Sequence, residues 1–321
     1  MPPDPTPAGE FELIRWIRDH RQPLRGARGA ILGIGDDCAI LEPTPGAQLL
    51  VTTDMLMDGR HFRLEADDPE AVGYKAMGVN VSDIAAMAGI PRAAVVSVAL
   101  PRAGAVALAQ RLHAGLRRMA DRFDVELIGG DTNAWDGPLV INVALLGETT
   151  ARGAVRRSGA RPGDLVAVTG PLGGSLYRGR HLRPEPRVRE ALELHANFNI
   201  RAMIDLSDGL SSDLGHILEE SGGLGAVLDL DRIPIHEDAR DLAASDGTSA
   251  ILHALSDGED FELCLVVDRE EAMRQIGRPG IPALHVVGEV TAEPGLRARN
   301  PDGTVVPIKP SGFDHLRVSE T

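Results

Sequence analysis

Six aspartate motifs close short apolar runs or sit in glycine-rich turns along this chain: Gly33-Ile-Gly-Asp36-Asp37, Thr52-Thr53-Asp54, Asn80-Val-Ser-Asp83, Gly129-Gly130-Asp131, Asp205-Leu-Ser207-Asp208-Gly and Asp257-Gly-Glu259-Asp260. Runs of that length, ended by such turns, confine the chain to strands and helices that alternate, and so to sheets backed by helices. An acid at the end of a strand points off the edge of the sheet rather than into its core. Several acids drawn to one place repel one another unless cations lie between them. The pattern reads first as a site for several Mg²⁺ ions, and hard oxygen ligands gathered around Mg²⁺ commonly serve a polyphosphate.

The elements can be read in order. Glu10 to Asp19 has Phe11, Ile14 and Ile17 on one helical face, and Leu49 to Thr53 reads as a buried strand. Ala71 to Met87 reads as a helix carrying Lys75 and Asp83, and Val95 to Leu100 as a strand. Leu108, Leu112, Leu116, Met119 and Phe123 mark a further helix. Val125 to Ile128 is a strand running into Gly129-Gly130-Asp131, and Leu139 to Leu146 a strand buried on both faces. A boundary falls near Thr149 to Pro162, rich in Gly and Arg. Beyond it, strands are expected at 165–169, 202–204, 225–229, 262–267 and 284–287, with a helix from Asp213 to Glu220 capped by Ser211 or Ser212. The expectation is a disordered, Pro-rich start (1–9) and two α/β domains with mixed sheets, 10–150 and 151–321.

Composition removes several classes of function. A net charge of −14 argues against nucleic acid or an anionic membrane as partner. Lys75 and Lys309 are the only lysines, so there is no Gly-x-x-x-x-Gly-Lys-Ser/Thr loop, and a bound nucleotide must be neutralised by metal ions and arginine. Cys38 and Cys264 stand far apart with no Cys-x-x-Cys pair, which fits a reducing cytoplasm rather than a disulfide framework or zinc ribbon. The start lacks a basic and an apolar region, so no signal peptide is expected, and no apolar run approaches the ~20 residues of a membrane span.

Taken singly, the motifs are weak. Gly33-Ile-Gly-Asp36-Asp37 lacks the third glycine of a dinucleotide loop, and its acids would repel a pyrophosphate without metal. Thr52-Thr53-Asp54, Gly130-Asp131 and Asp205-Leu-Ser-Asp208 each read more readily, alone, as turns than as sites. Asp83 is crowded by Met77, Val79, Val81, Ile84 and Met87, which predicts partial burial and a polar partner. Arg157 of Arg156-Arg157-Ser-Gly can fork onto phosphate oxygens. A lone His61 is ordinarily structural.

Together, in this order, the motifs resemble thiamine-monophosphate kinases of the aminoimidazole-ribonucleotide-synthetase-like superfamily. The match runs from Gly9-Glu-Phe11 to Gly312-Phe-Asp-His315 and includes Arg-Ser-Gly-Ala-Arg-Pro-Gly-Asp at 157–164 and Gly-Glu-Asp-Phe-Glu-Leu at 258–263. The resemblance implies phosphorylation of thiamine monophosphate by ATP with Mg²⁺, giving thiamine diphosphate. It implies an N-terminal α/β domain that dimerises through its sheet and a C-terminal α/β domain. By the same resemblance Asp37, Thr52, Thr53, Asp54, Asp83, Asp131, Asp205 and Asp208 are Mg²⁺ ligands. Asp37, Asp54, Asp83, Asp131 and Asp208 thereby form the catalytic set. Gly130, Asp131, Arg157 and Ser207 meet ATP, and His61, Glu259 and Phe313 meet the thiamine substrate. Two alternatives keep some of these features: a related phosphotransferase with another acceptor, and a catalytically silent Mg-ATP-binding protein. One departure stands out. After Thr169-Gly-Pro-Leu-Gly-Gly-Ser175, where the family continues into a helix, this chain passes directly to His181-Leu-Arg-Pro184-Glu-Pro-Arg187, so a helix is expected to be shortened or lost.

Overall fold

The computed structural model describes residues 10–20, 30–34 and 37–312, so the reading of 1–9 lies outside the described residues. Two compact units divide the chain, Met1–Ile84 with Gly89–Gly153, and Ala85–Ala88 with Ala154–Thr321. The first contains α1 (Glu10–Asp19), β1 (Ala30–Leu32), β2 (Ile40–Leu41), β3 (Leu49–Met57), α2 (Pro69–Ala86, its last residues counted with the second unit), β4 (Gly89–Pro101), α3 (Ala105–Arg122), β5 (Glu126–Trp135) and β6 (Val140–Thr149). Its main sheet runs β3-β6-β4-β5. Only β4 and β5 pair in parallel, because α3 carries the chain back between them. Helix α2 buries residues on all sides, among them Val72, Met77, Val81 and Ile84, which is the behaviour of a core helix rather than an amphipathic one.

The second unit contains β7 (Leu165–Val168), α4 (Val188–Asn197), β8 (Ile200–Asp205), α5 (Leu210–Glu220), β9 (Gly225–Asp229), α6 (Glu237–Asp246), α7 (Ala250–Ser256), β10 (Leu263–Val267), α8 (Arg269–Gln275), β11 (His285–Thr291), β12 (Gly295–Arg299) and β13 (Val305–Pro307). Its sheet runs β13-β12-β9-β11-β7-β10-β8, antiparallel except between β12 and β9. Val166, Val168, Ile204, Leu214 and Val266 lie in its core. Leu263 pairs with Asp205 and Cys264 with Val168, so the ends of β7 and β8 and the start of β10 meet at one end of the sheet. The mixed α/β class is as expected. Among the described residues, no helix is long and apolar enough to cross a membrane.

Four local expectations are corrected. Thr52-Thr53-Asp54 and Gly130-Asp131 do not end strands. They lie inside β3 and β5, so their side chains project from the faces of the sheet rather than off its edge. Glycine continues β5 because the Val96 carbonyl of β4 occupies the place a Cβ on Gly130 would take, at 2.0 Å. Strand β6 is not buried on both faces. Ile141, Val143 and Leu145 are buried, and the residues between them only half so. Helix α5 is capped by neither serine: Gly209 holds the cap position, and the Asp213 carboxylate turns back to accept the N–H groups of Asp208 and Gly209, both at 3.1 Å. The lost helix after Ser175 corresponds to a single 3₁₀ turn, Arg180–Leu182, ahead of α4.

Candidate active site

Strand alternation sorts the acids of the first unit. Along β3, Leu50, Thr52, Asp54 and Leu56 share one face, and Leu49, Val51, Thr53, Met55 and Met57 the other. On the first face the Thr52 hydroxyl donates to a carboxylate oxygen of Asp83 from α2. Asp54 faces the same Asp83. Burial, and then the charge and hydrogen bond of Asp83, push the Asp54 carboxyl up to about 7. Two carboxyls so placed must share a proton or a cation.

Thr53 and Asp131 lie on the opposite face. Thr53 reaches Asn142 of β6 at 3.2 Å, and Asp131 accepts from Asn133 at 2.9 Å. The register Thr53↔Ala144↔Val95 and Ser97↔Asp131 puts both on that face, on the two outer strands. Three interstrand spacings, about 14 Å, part the two strands, and Asp131 stands two residues beyond Gly129, the residue in register with Thr53. The expected single ligand set is thus divided within this unit, with Thr52, Asp54 and Asp83 together and Thr53 and Asp131 apart from them. Asp37 lies with Gly130 and Asp131 in the wall of a cavity of about 940 Å³, otherwise mostly apolar, lined by Ile14, Leu112 and Leu116. His61 is half-buried. Its Nδ1 accepts the Met57 N–H at 3.0 Å, and its carbonyl accepts from the fully buried Lys75 at 2.8 Å.

In the second unit, β8 ends on the buried Asp205, and Ser207 and Asp208 follow in the turn before α5. The Glu259 N–H donates to the Ser207 carbonyl at 2.7 Å, so Glu259 stands beside the residues read as the phosphate end of the site. Arg157 is exposed, and the backbone carbonyl of Arg156 accepts from Met203 of β8. Phe313 lies outside the described residues. Gly312 before it packs on Asp208, where an added Cβ would come within 2.4 Å of the Asp208 carbonyl.

Asp213 is the site residue the sequence reading missed. It is buried, and burial followed by the charges of Asp205 and Asp208 pushes its carboxyl up to about 8, against the opposing pull of the two N–H groups it accepts. Oxygens of Asp208 and Asp213 and a ring nitrogen of His216 lie within 4.8 Å of one another. The signal was present as an acid five residues after Asp208, but a helical reading from Asp213 onward assigned it to the helix.

The chain matches the AIR synthase related protein N-terminal domain over residues 35–149 and the corresponding C-terminal domain over 154–299. It is 41% identical to the thiamine-monophosphate kinase of Rhodopirellula baltica over 292 residues, 88% of this chain and 91% of the relative. It is 38% identical to that of Salmonella typhimurium, over 96% of this chain and 98% of the relative. The chain belongs to the thiamine-monophosphate kinase family. Among solved structures, the thiamine-monophosphate kinase of Stenotrophomonas maltophilia superposes with a TM-score of 0.75 at 33% identity, covering 91% of this chain and 95% of that one. AaThiL complexed with AMPPCP and TMP superposes with a TM-score of 0.74 at 32% identity, covering 96% and 97%. The hydrogenase maturation protein HypE of Escherichia coli, at 17% identity and a TM-score of 0.76, shares the fold. Family membership leaves the division of the acids in place: this chain holds one acid pair where the C-terminal part of α2 faces β3 and a second cluster at the β8–α5 turn.

Proposed function

We propose that the protein transfers the γ-phosphoryl group of ATP to thiamine monophosphate, forming thiamine diphosphate. The observation that carries this reading is the Asp54–Asp83 pair, two acids held face to face in a chain of this family. The donor set fits Mg²⁺: hard carboxylate and hydroxyl oxygens, with a carboxyl that stays protonated near neutrality unless a cation replaces the proton. Thr52, Asp54, Asp83, Thr53, Asp131 and Asp37 would hold such ions in the first unit, and Asp205 and Asp208 in the second. Bound there, Mg²⁺ supplies the charge that lets two anionic substrates approach. The chain's own groups orient them. Arg157 offers a fork to phosphate oxygens. Gly130 and Asp131 border an apolar cavity with room for a base, which suits an ATP contact there. Ser207 would support the phosphates, while His61, Glu259 and Phe313 are the residues expected to contact the acceptor, where an acid suits the cationic thiazolium. The acceptor phosphate is already ionised, so no general base is needed. Both cysteines are free thiols, which fits a reducing compartment such as the cytoplasm.

The expected result is Mg²⁺-dependent ADP release that requires thiamine monophosphate and yields thiamine diphosphate. ATP binding without turnover on any phosphorylated acceptor would instead identify a silent nucleotide-binding protein. Turnover with a different acceptor alone would move the chain to another specificity.

We also propose a homodimer formed through the first unit's sheet. Its open face carries an apolar stripe, with Val51 70% and Met55 56% exposed beside Leu49 and Met57. A twofold pairing would cover that stripe. Met55→Glu should shift the protein to monomer in sedimentation at micromolar concentration and lower turnover. A wild type that sediments as a monomer there refutes the dimer.

A further inference from the structure

Among the described residues Glu259 and Phe261 have left-handed backbone, at φ 51° and 53°, either side of Asp260. Neither residue type favours that region, and such backbone persists only where its surroundings fix it. Three sets of bonds do so. The Glu259 and Phe261 N–H groups donate to the carbonyls of Ser207 and Leu206 at 2.7 and 2.9 Å, and the Leu206 N–H returns to Glu262 at 2.8 Å. Gly258 allows this approach, since a Cβ there would lie 2.5 Å from the Ser207 carbonyl. On the other side, the loop after β7 is bound to the same segment. Gly173 N–H donates to both oxygens of Asp260 at 2.9 and 3.0 Å, Gly174 N–H to Asp257 at 2.8 Å, and the Ser175 hydroxyl to the Gly258 carbonyl at 2.7 Å.

Two arginines from the segment that replaces the expected helix complete the arrangement. Arg180 donates through Nη2 to Asp260 at 2.9 Å and to the Gly173 carbonyl at 2.8 Å, bridging both loops with one group. Arg187 donates Nε and Nη2 to the two oxygens of Glu262 at 2.9 and 2.5 Å, and Thr169 donates to the same carboxylate at 2.6 Å. Asp260 and Glu262 are both buried, so each guanidinium answers a charge that water does not reach. Glu259 lies on the same left-handed turn, directly before the anchored Asp260.

The geometry points to Arg180 as a positioning residue for the acceptor: by tying Asp260 to the Gly173 loop it holds Glu259 in the conformation that meets the thiamine substrate, with Arg187 as the matching anchor at Glu262. This rests on the kinase reading above. The residue touches no reacting atom, so its removal should misplace the acceptor while leaving the nucleotide end in order.

The test compares Arg180→Met and Arg180→Lys with Arg201→Met in the full-length protein. Arg201 pairs with Asp268 at 3.3 Å and approaches Asp164 at 3.9 Å, at the opposite end of the same sheet, so its loss destabilises the unit without touching the brace. Arg180→Met should raise KM for thiamine monophosphate about tenfold or more, with kcat changed by less than about threefold and KM for ATP by less than about twofold. Arg180→Lys should recover part of that loss. Amide exchange at Glu259 and Phe261 should quicken in Arg180→Met and not in Arg201→Met. An unchanged acceptor KM in Arg180→Met overturns the inference, as does an equal rise in Arg201→Met. A wild type without turnover refutes the kinase reading alone. In that case exchange still decides the brace, and unchanged protection at Glu259 and Phe261 overturns it.

Discussion

Asp54→Asn should lower kcat by about 10² to 10³-fold, the scale on which loss of one preorganised electrostatic group at a reaction centre is felt, and should leave the fold intact. The substitution keeps the shape of the side chain and an amide N–H that can donate to Asp83 where the Asp54 proton did, but removes the charge that a cation would answer. Because Asp54 stands in a proton-sharing pair rather than a favourable ion pair, the variant should be more stable than the wild type in metal-free buffer, not less. Activity and stability moving in opposite directions mark a site strained for function. Asp54→Asn retaining more than a tenth of wild-type turnover would remove Asp54 from the reaction.

The pH dependence fixes the sign. The folded protein holds the Asp54 proton up to about 7, whereas the unfolded chain releases it near the ordinary aspartate value of 3.8. Between those values the folded state binds more protons than the unfolded state. Metal-free stability therefore falls as pH rises from about 4 to about 7, by on the order of a few kcal/mol, and is level above that. Asp54→Asn removes this slope. Thermal melts of the two proteins in chelator should agree near pH 4 and separate progressively toward pH 7.

How far the sequence disclosed this arrangement depends on the residue. The core strands and the helices α2 and α3 follow from their apolar spacing, and the acid motifs follow from their order. Which acids meet does not. Thr52, Thr53 and Asp54 look like one ligand group in the sequence, yet adjacent strand residues must face opposite ways, and that parity alone separates Thr53 from the Asp54–Asp83 pair. Gly129-Gly130 reads as a turn because glycine weakens strands, and only the β4 carbonyl pressing on Gly130 explains why β5 continues through it. Helix α6 went unread because His236 caps it, its Nδ1 accepting the Asp238 N–H at 3.1 Å, and histidine lies outside the usual capping set. Helix α4 starts directly after Pro184-Glu-Pro186 with no side-chain cap, so the prolines read as a break. Helix α8 carried a legible signal, Asp268 accepting the Glu271 N–H at 3.0 Å in the Asp-x-x-Glu pattern of a capping box.

The acid clusters also set a linkage between metal and protons. Asp54 is held up to about 7 and Asp213 to about 8, each by burial and by neighbouring carboxylates. A divalent cation among those carboxylates reverses the local field, so both groups should give up protons when Mg²⁺ binds. Calorimetric titration of Mg²⁺ at pH 6.5, in two buffers with different ionisation enthalpies, should give heats that differ in proportion to the protons released. The apparent affinity should climb with pH through 7 and level off above about 8, by up to about tenfold per unit for each proton displaced. Asp54→Asn should remove the part of the release centred near 7, and Asp213→Asn the part near 8. Each variant isolates one unit of the protein, since Asp54 belongs to the first and Asp213 to the second. Heats independent of the buffer would mean that the cation does not enter either acid cluster, and the site would then lie elsewhere on the chain.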